Sequence, residues 1–238
     1  MAHPSVVGYT TQKPTIDQNN FRLVSFNAVG HNTGDIQQIK ISDGGAGTIG
    51  WGTENISIWA GVPTIVEGSA YQYCDPANDP EGLAKDYYWG DTDGNKVNFS
   101  IAPGQSVVIE CSEGLDITVA GQVPTSAVEF ITIDQNNFTG NPFPATIDIQ
   151  NIKISDGGLG TIGWGTENFS IWEGVPTVVD GSAYQYCDPA NDPEGLAEDY
   201  YWGDTNGNKV TYPIVSGQGV VIECAANLTV TITPPYSL

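Results

Sequence analysis

Val107-Val-Ile-Glu-Cys111 is followed, after three residues, by Leu115-Asp-Ile-Thr-Val119. In the second segment apolar and polar residues alternate strictly, which puts every other side chain on one face of an extended chain and lets that face alone be buried. A helix would need its apolar residues three and four positions apart. The alternation returns as Leu228-Thr-Val230-Thr-Ile232, so the pattern is written twice.

The repetition runs outward from these strands. Asp35–Cys111 aligns without a gap on Asp148–Cys224 at an offset of 113, and 14 of the 77 positions differ. The chain of 238 residues is therefore a tandem duplication whose copies each have the length of a globular domain with its own core. The boundary is expected in Gly121-Gln-Val-Pro124-Thr-Ser126, because Pro124 interrupts pairing, giving domains 1–123 and 124–238. The copies differ most at their entrances. Ile16–Phe21 recurs as Ile133–Phe138 at an offset of 117, so a four-residue length change falls before Asp35 and lengthens the loop of copy one.

Other segments read as short strands: Val6 to Tyr9, Phe21–Phe26, Ile36–Ile41, Ile56–Trp59, Ala70–Cys74 and Tyr87–Trp89 in copy one, with Ala127–Phe130 opening copy two. Asp43-Gly-Gly45 supplies a sharp turn. Asp93-Gly94, replaced by Asn206-Gly207 in copy two, suits a type I′ hairpin. The one segment with a helical turn in prospect is Asp79–Ala84, which carries a proline and a glycine. Eight to ten short strands per copy predict an all-β protein of two tandem homologous β-sandwich or jelly-roll-like domains.

A formal charge of -21 with seven basic residues leaves nothing from which to build a basic patch, which argues against nucleic acid and anionic membrane as partners. Charged residues are nevertheless only 15% of the chain, so its solvated faces are polar rather than ionic. No stretch approaches the length of an apolar membrane span, and Met1–Gln12 lacks the basic start and apolar run of a secretory signal. The expectation is a protein used without Sec export, the alternative being a signal that has been removed.

The duplication also tests candidate chemistry. His3 and His31 have no counterparts in the other copy, so no repeated histidine triad or metal cluster exists, and no G-x-S-x-G elbow holds a serine. Carboxylates recur as Asp75, Asp79, Glu81 and Asp86 and as Asp188, Asp192, Glu194 and Asp199. A glycosidase-like acid pair is formally available there, but proline-flanked acidic loops are ordinarily solvated turns. Calcium is the one cofactor considered. Asp91, Asp93 and Asn95, with Asp204, Asn206 and Asn208, place oxygens at alternate positions, yet position six is lysine and no bidentate glutamate follows; turn chemistry is the preferred reading. A second calcium possibility is Asp75, Asn78, Asp79 and Glu81.

Four cysteines form two equivalent pairs, Cys74 with Cys111 and Cys187 with Cys224, each member closing a predicted strand. One disulfide per domain is expected, the alternative being buried thiols in a reducing compartment. Trp51, Trp59 and Trp89, repeated as Trp164, Trp172 and Trp202, have the density of a sugar-stacking surface, although core packing explains aromatics in strands equally well. Asn55, Asn98, Asn137, Asn168 and Asn227 stand in glycosylation sequons.

With no nucleophile or cofactor motif, the chain is expected not to be an enzyme. An acidic, duplicated β-protein reads as a component of an ordered assembly in a virion or at an extracellular surface. The leading expectation is a phage or viral capsid decoration or head-fibre protein whose partners are the proteins of a shell. A bacterial surface or filament protein is the first alternative, and a tandem carbohydrate-binding module with a glycan partner the second.

Overall fold

The computed structural model describes residues 7–13, 21–25, 34–42, 54–57, 70–73, 88–101, 104–133, 135–155, 167–170, 183–186 and 201–236. Copy one contributes β1 (Val7–Gln12), β2 (Phe21–Ser25), β3 (Gly34–Asp35), β4 (Ile39–Ser42), β5 (Asn55–Ser57), β6 (Ala70–Tyr73), β7 (Tyr88–Gly90), β8 (Ser100–Ile101), β9 (Ser106–Glu110) and β10 (Asp116–Gln122). Copy two contributes β11 (Val128–Ile131), β12 (Gln135–Gly140), β13 (Ile147–Asp148), β14 (Ile152–Ser155), β15 (Asn168–Ser170), β16 (Ala183–Tyr186), β17 (Tyr201–Gly203), β18 (Pro213–Ile214), β19 (Gly219–Cys224) and β20 (Thr229–Ile232). The described chain is all-β, as expected, and its strand pairs are antiparallel.

Each copy makes a three-stranded sheet, β1-β10-β4 or β11-β20-β14, and a five-stranded sheet, β2-β9-β5-β6-β7 or β12-β19-β15-β16-β17. Two-stranded ribbons β3-β8 and β13-β18 complete them. The chain changes sheet between β1 and β2, between β4 and β5, and between β9 and β10, so the two sheets share one core. In copy one that core joins Ile39, Ile41, Ile117 and Val119 to Ile56, Trp89, Val107 and Ile109. Copy two forms a second cluster from the equivalent positions. In β10 burial alternates along Asp116–Ala120 as the sequence pattern requires.

Ile36–Ile41, read as one strand from the sequence, opens instead as a 3₁₀ turn over Ile36–Gln38 before β4 begins. The Asp35 carboxylate accepts from the Gln37 amide at 2.8 Å, and the Gln38 side chain accepts from the Asp35 amide at 3.1 Å. This reciprocal cap satisfies donors that a strand start would leave open. Asp148 and Asn151 repeat it around Ile149–Asn151. The Asp79–Ala84 segment lies outside the described residues.

The hairpin after β7 also differs from expectation. Gly94 has φ +82, but Asp93 does not have a positive φ, which a type I′ turn demands. The Gly94 amide donates to Asp91 O at 3.0 Å and the Asp91 amide to Asn95 O at 2.9 Å. The loop is therefore three residues, Thr92-Asp93-Gly94, with the bulge that a left-handed glycine permits. Copy two repeats it with Gly207 at φ +79.

β9 departs from alternation because Ser106, Val107, Val108 and Ile109 are all buried. Val107 and Ile109 belong to their own core, whereas Val108 and its equivalent Val221 belong to neither core. What covers them is the other half: β2 and β9 lie against β12 and β19. Ser106 Oγ donates to Thr139 O, Thr139 Oγ1 donates to Gly104 O, and Gln105 bridges Thr139. In the opposite direction Gln12 Nε2 donates to Ser216 O at 2.8 Å. β2 is the counterpart of β12 and β9 of β19, and by strand register Gln12 corresponds to Phe130. The contact thus joins equivalent elements in both directions, the pattern of an isologous interface, here within one chain.

Candidate functional site

In each half one corner gathers the 3₁₀ turn, the strand that follows it (β4 or β14) and the hairpin that follows β7 or β17. Gln37 fastens it. Its amide nitrogen donates to Trp89 O at 2.8 Å and to Val97 O, while its carbonyl oxygen accepts from the Trp89 amide at 3.0 Å. A side-chain amide carries a donor and an acceptor in one plane, so Gln37 replaces a strand residue between two backbones. Gln150 does the same for Trp202 and Val210, at 2.8 Å and 2.6 Å.

Trp89 and Trp202 are fully buried. Their indole N–H groups donate to Ile39 O at 2.8 Å and Ile152 O at 2.7 Å, which caps carbonyls at the edge of β4 and β14. Phe169 packs on Trp202 with ring centroids 5.6 Å apart. A ring without exposed surface has no face for a sugar, so these two tryptophans are withdrawn as stacking candidates. Trp51, Trp59, Trp164 and Trp172 lie outside the described residues.

Of the hairpin oxygens considered for calcium, those of Asp91 and Asp204 are engaged by their own loop. Asp91 Oδ1 accepts from the amides of Asp93 and Asn95 at 2.9 and 2.8 Å, and Asn95 Nδ2 donates to Oδ2 at 3.1 Å. These bonds, led by those from Asn95, hold the Asp91 carboxyl below its ordinary range. Asp204 is held in the same way by Asn208 and Asn206. Tyr88 and Tyr201 hydroxyls donate to Gly94 O and Gly207 O at 3.0 Å and tie the loop to its strand. The arrangement is turn chemistry, and among the described residues no three His, Cys, Asp or Glu side chains cluster for a metal. The acidic loops of residues 75–86 and 188–199 lie outside the described residues.

Beside each hairpin stands a pair of lysines, a feature the sequence reading did not single out. Lys40 on β4 faces outward opposite Thr118, and Lys96 returns to Gly90 through a bridge. Partial burial, and then the charge of Lys96, push the Lys40 ammonium down to about 8. Lys153 and Lys209 repeat the arrangement, again with about 8 for Lys153. Glu54 and Glu167, also passed over, are buried carboxylates before β5 and β15. Their signal was an acid set among aromatic, glycine and β-branched neighbours.

Cys111 and Cys224 are buried at strand ends. Their expected partners Cys74 and Cys187 lie outside the described residues, within which no disulfide forms. Asn137 is buried, donating to Ile133 O at 3.0 Å and Cys224 Sγ at 3.4 Å while accepting from the Ile133 amide. That sequon is closed in the folded chain, whereas Asn98 and Asn227 are exposed.

The divergent entrance of copy two is built into its core. Asn141 Nδ2 donates to Ala145 O and Ile214 O, and its oxygen accepts from the Phe143 amide. Phe143 is fully buried and meets Tyr236 edge to face at 6.0 Å. No protein-family model matches the chain, and neither a curated protein nor a solved structure matches it.

Proposed function

We propose that the chain is a non-enzymatic structural protein of an ordered assembly, a phage or viral capsid decoration or head-fibre protein. In this reading it is built as two tandem β-sandwich domains of jelly-roll-like kind, residues 1–123 and 124–238. The observation that carries it is the clasp: equivalent strands β2, β9, β12 and β19 of the two halves pack on each other and make the duplicated chain one body with two similar outer flanks. A two-flanked unit suits a role in which the protein is a building block rather than a catalyst.

Support also comes from where the polar side chains are engaged. Asp35 and Asp148 cap turns, Asp91 and Asp204 shape hairpins, and Gln37, Gln150, Asn137 and Asn141 stitch backbone together. Groups held by two or three bonds to the fold are poorly placed to move protons or bind substrate.

Immuno-electron microscopy of particles from the native source tests the reading. Label on the capsid or its projections is the expected result. The protein found only as a free monomer, with no particle association, overturns it. A glycan-hydrolysis activity abolished by joint Glu81→Gln and Glu194→Gln substitution would overturn the non-enzymatic part.

A further inference from the structure

Asn206-Gly207 is the one Asn-Gly dipeptide in the chain, and it stands at the tip of the hairpin that follows β17. A glycine after asparagine removes the side chain that would crowd the approach of the next backbone nitrogen to the carboxamide. Asn206 is exposed, and among the described residues its carboxamide makes no hydrogen bond. Only its backbone is held. The Asn206 amide donates to Asp204 Oδ1 at 2.8 Å, and the Gly207 amide donates to Asp204 O at 3.0 Å.

The other exposed asparagines of the described residues lack one or both of these features. Asn95 and Asn208 precede lysines, and their carboxamides donate to the Asp91 and Asp204 carboxylates at 3.1 and 3.0 Å. Asn98 and Asn227 precede Phe99 and Leu228. Copy one carries Asp93 where copy two carries Asn206, and its loop has the same bonds: the Asp93 amide donates to Asp91 Oδ1 at 2.9 Å and the Gly94 amide to Asp91 O at 3.0 Å. The hairpin therefore closes equally well on a carboxylate at this position.

We propose that Asn206 is a site of self-catalysed modification and converts, in the folded chain, to the aspartate that copy one carries at the equivalent position. The Gly207 backbone nitrogen attacks Asn206 Cγ: the N–Cγ bond forms, the Cγ–Nδ2 bond breaks, and Nδ2 leaves as ammonia with the proton of the Gly207 amide. Water then opens the cyclic imide. Cleavage of the new N–Cγ bond restores the backbone and leaves aspartate, whereas cleavage at the main-chain carbonyl leaves isoaspartate, with one more atom between Cα and Gly207. That atom displaces Gly207, whose amide is bonded to Asp204 O and whose carbonyl accepts from the Tyr201 hydroxyl at 3.0 Å. Aspartate keeps both bonds. The bond from Gly207 to Asp204 must open before attack, a local event at an exposed hairpin tip that leaves the core folded. The product adds one negative charge to the formal -21.

The test incubates the full folded chain in mildly alkaline buffer and follows the hairpin peptide by digestion and mass spectrometry, using a protease that cuts before aspartate but not before isoaspartate to separate the products. The expected result is a first-order mass gain at Asn206 with release of ammonia and aspartate as the main product. Conversion at Asn208, whose carboxamide must first leave the Asp204 carboxylate, is expected to be about tenfold slower or more. The Asn206→Asp chain, which already holds the product, is expected to show no gain in this peptide. An Asn206 that stays unconverted in the folded chain overturns the proposal, whether or not a urea-unfolded control converts. Equal conversion at Asn208 overturns it as well, and isoaspartate as the main product overturns the match to copy one.

Discussion

Replacing Gly104 by alanine strikes the clasp between the halves, and the molecule supplies its own control. Gly104 has φ +78, and a Cβ built on it would lie 3.2 Å from Val128 Cγ1, 3.4 Å from Ile232 Cδ1 and 3.5 Å from Phe130 Cδ1, all side chains of the other half. Gly114 has φ +81 and would meet nothing within 4 Å. Alanine at either site pays the same backbone strain, about 1 kcal/mol for a left-handed residue. At Gly104 the methyl group must also displace side chains of β11 and β20, which adds about 1–3 kcal/mol for overpacking. Scanning calorimetry is the assay. Gly114→Ala should lower Tm by roughly 2–4 °C in a chain of this size, and Gly104→Ala by about two to four times as much. Equal losses from the two substitutions would refute the seating of this turn against the core of copy two.

Three further outcomes follow from the same structure. Trp202→Phe removes the indole donor to Ile152 O and leaves a buried carbonyl and a void, so urea denaturation should show a loss of about 2–4 kcal/mol. The Lys40 and Lys153 ammoniums are depressed to about 8 from 10.5, so the folded chain holds these protons less tightly than the unfolded one. Their destabilising effect is complete below pH 8 and is relieved as pH rises toward 10.5. Linkage sets a ceiling of about 3 kcal/mol per lysine, which solvent screening of a half-exposed side chain reduces to about 1. Wild type should therefore gain stability over that interval relative to a Lys40→Met, Lys153→Met chain, measured by urea midpoints. Finally, when the chain is made in a glycosylating host, mass spectrometry should find Asn98 or Asn227 modified and Asn137 bare, since Asn137 is buried and bonded.

How much was legible depended on the range of the forces involved. β10 and β20 could be read from alternation alone, because one face of each meets its own core and the other meets solvent. The 3₁₀ turn at Ile36 was within reach, since Asp35-Ile-Gln-Gln38 spells a capping box, but the isoleucine spacing dominated the reading. The Asp-Gly dipeptide fixes where a hairpin turns and not how many residues the loop holds; that was settled by Asn95, whose amides complete the Asp91 network. The role of Gln37 was out of reach, because its partners lie on a strand some fifty residues onward.

The unbroken apolar run Val107-Val-Ile109 carries the largest lesson. On its own it describes a strand buried on both faces, which an antiparallel sheet with one solvated face does not supply. The second cover is the other copy, whose β12 and β19 lie against β9. An isologous contact closes on itself: once β2 and β9 have met β12 and β19, that surface is consumed and no third copy can add to it. Joining the copies in one chain raises their effective concentration for each other and favours the closed pair over exchange between molecules. Any larger assembly must then be built from the faces turned away from the clasp, which include the outer face of β4-β10 and of β14-β20, with Lys40 and Lys153 upon them. Reversing those lysines to glutamate should accordingly leave the monomer folded, as judged by circular dichroism, and, under the capsid role proposed above, abolish incorporation into particles. Normal incorporation of the Lys40→Glu, Lys153→Glu chain would move the docking surface elsewhere.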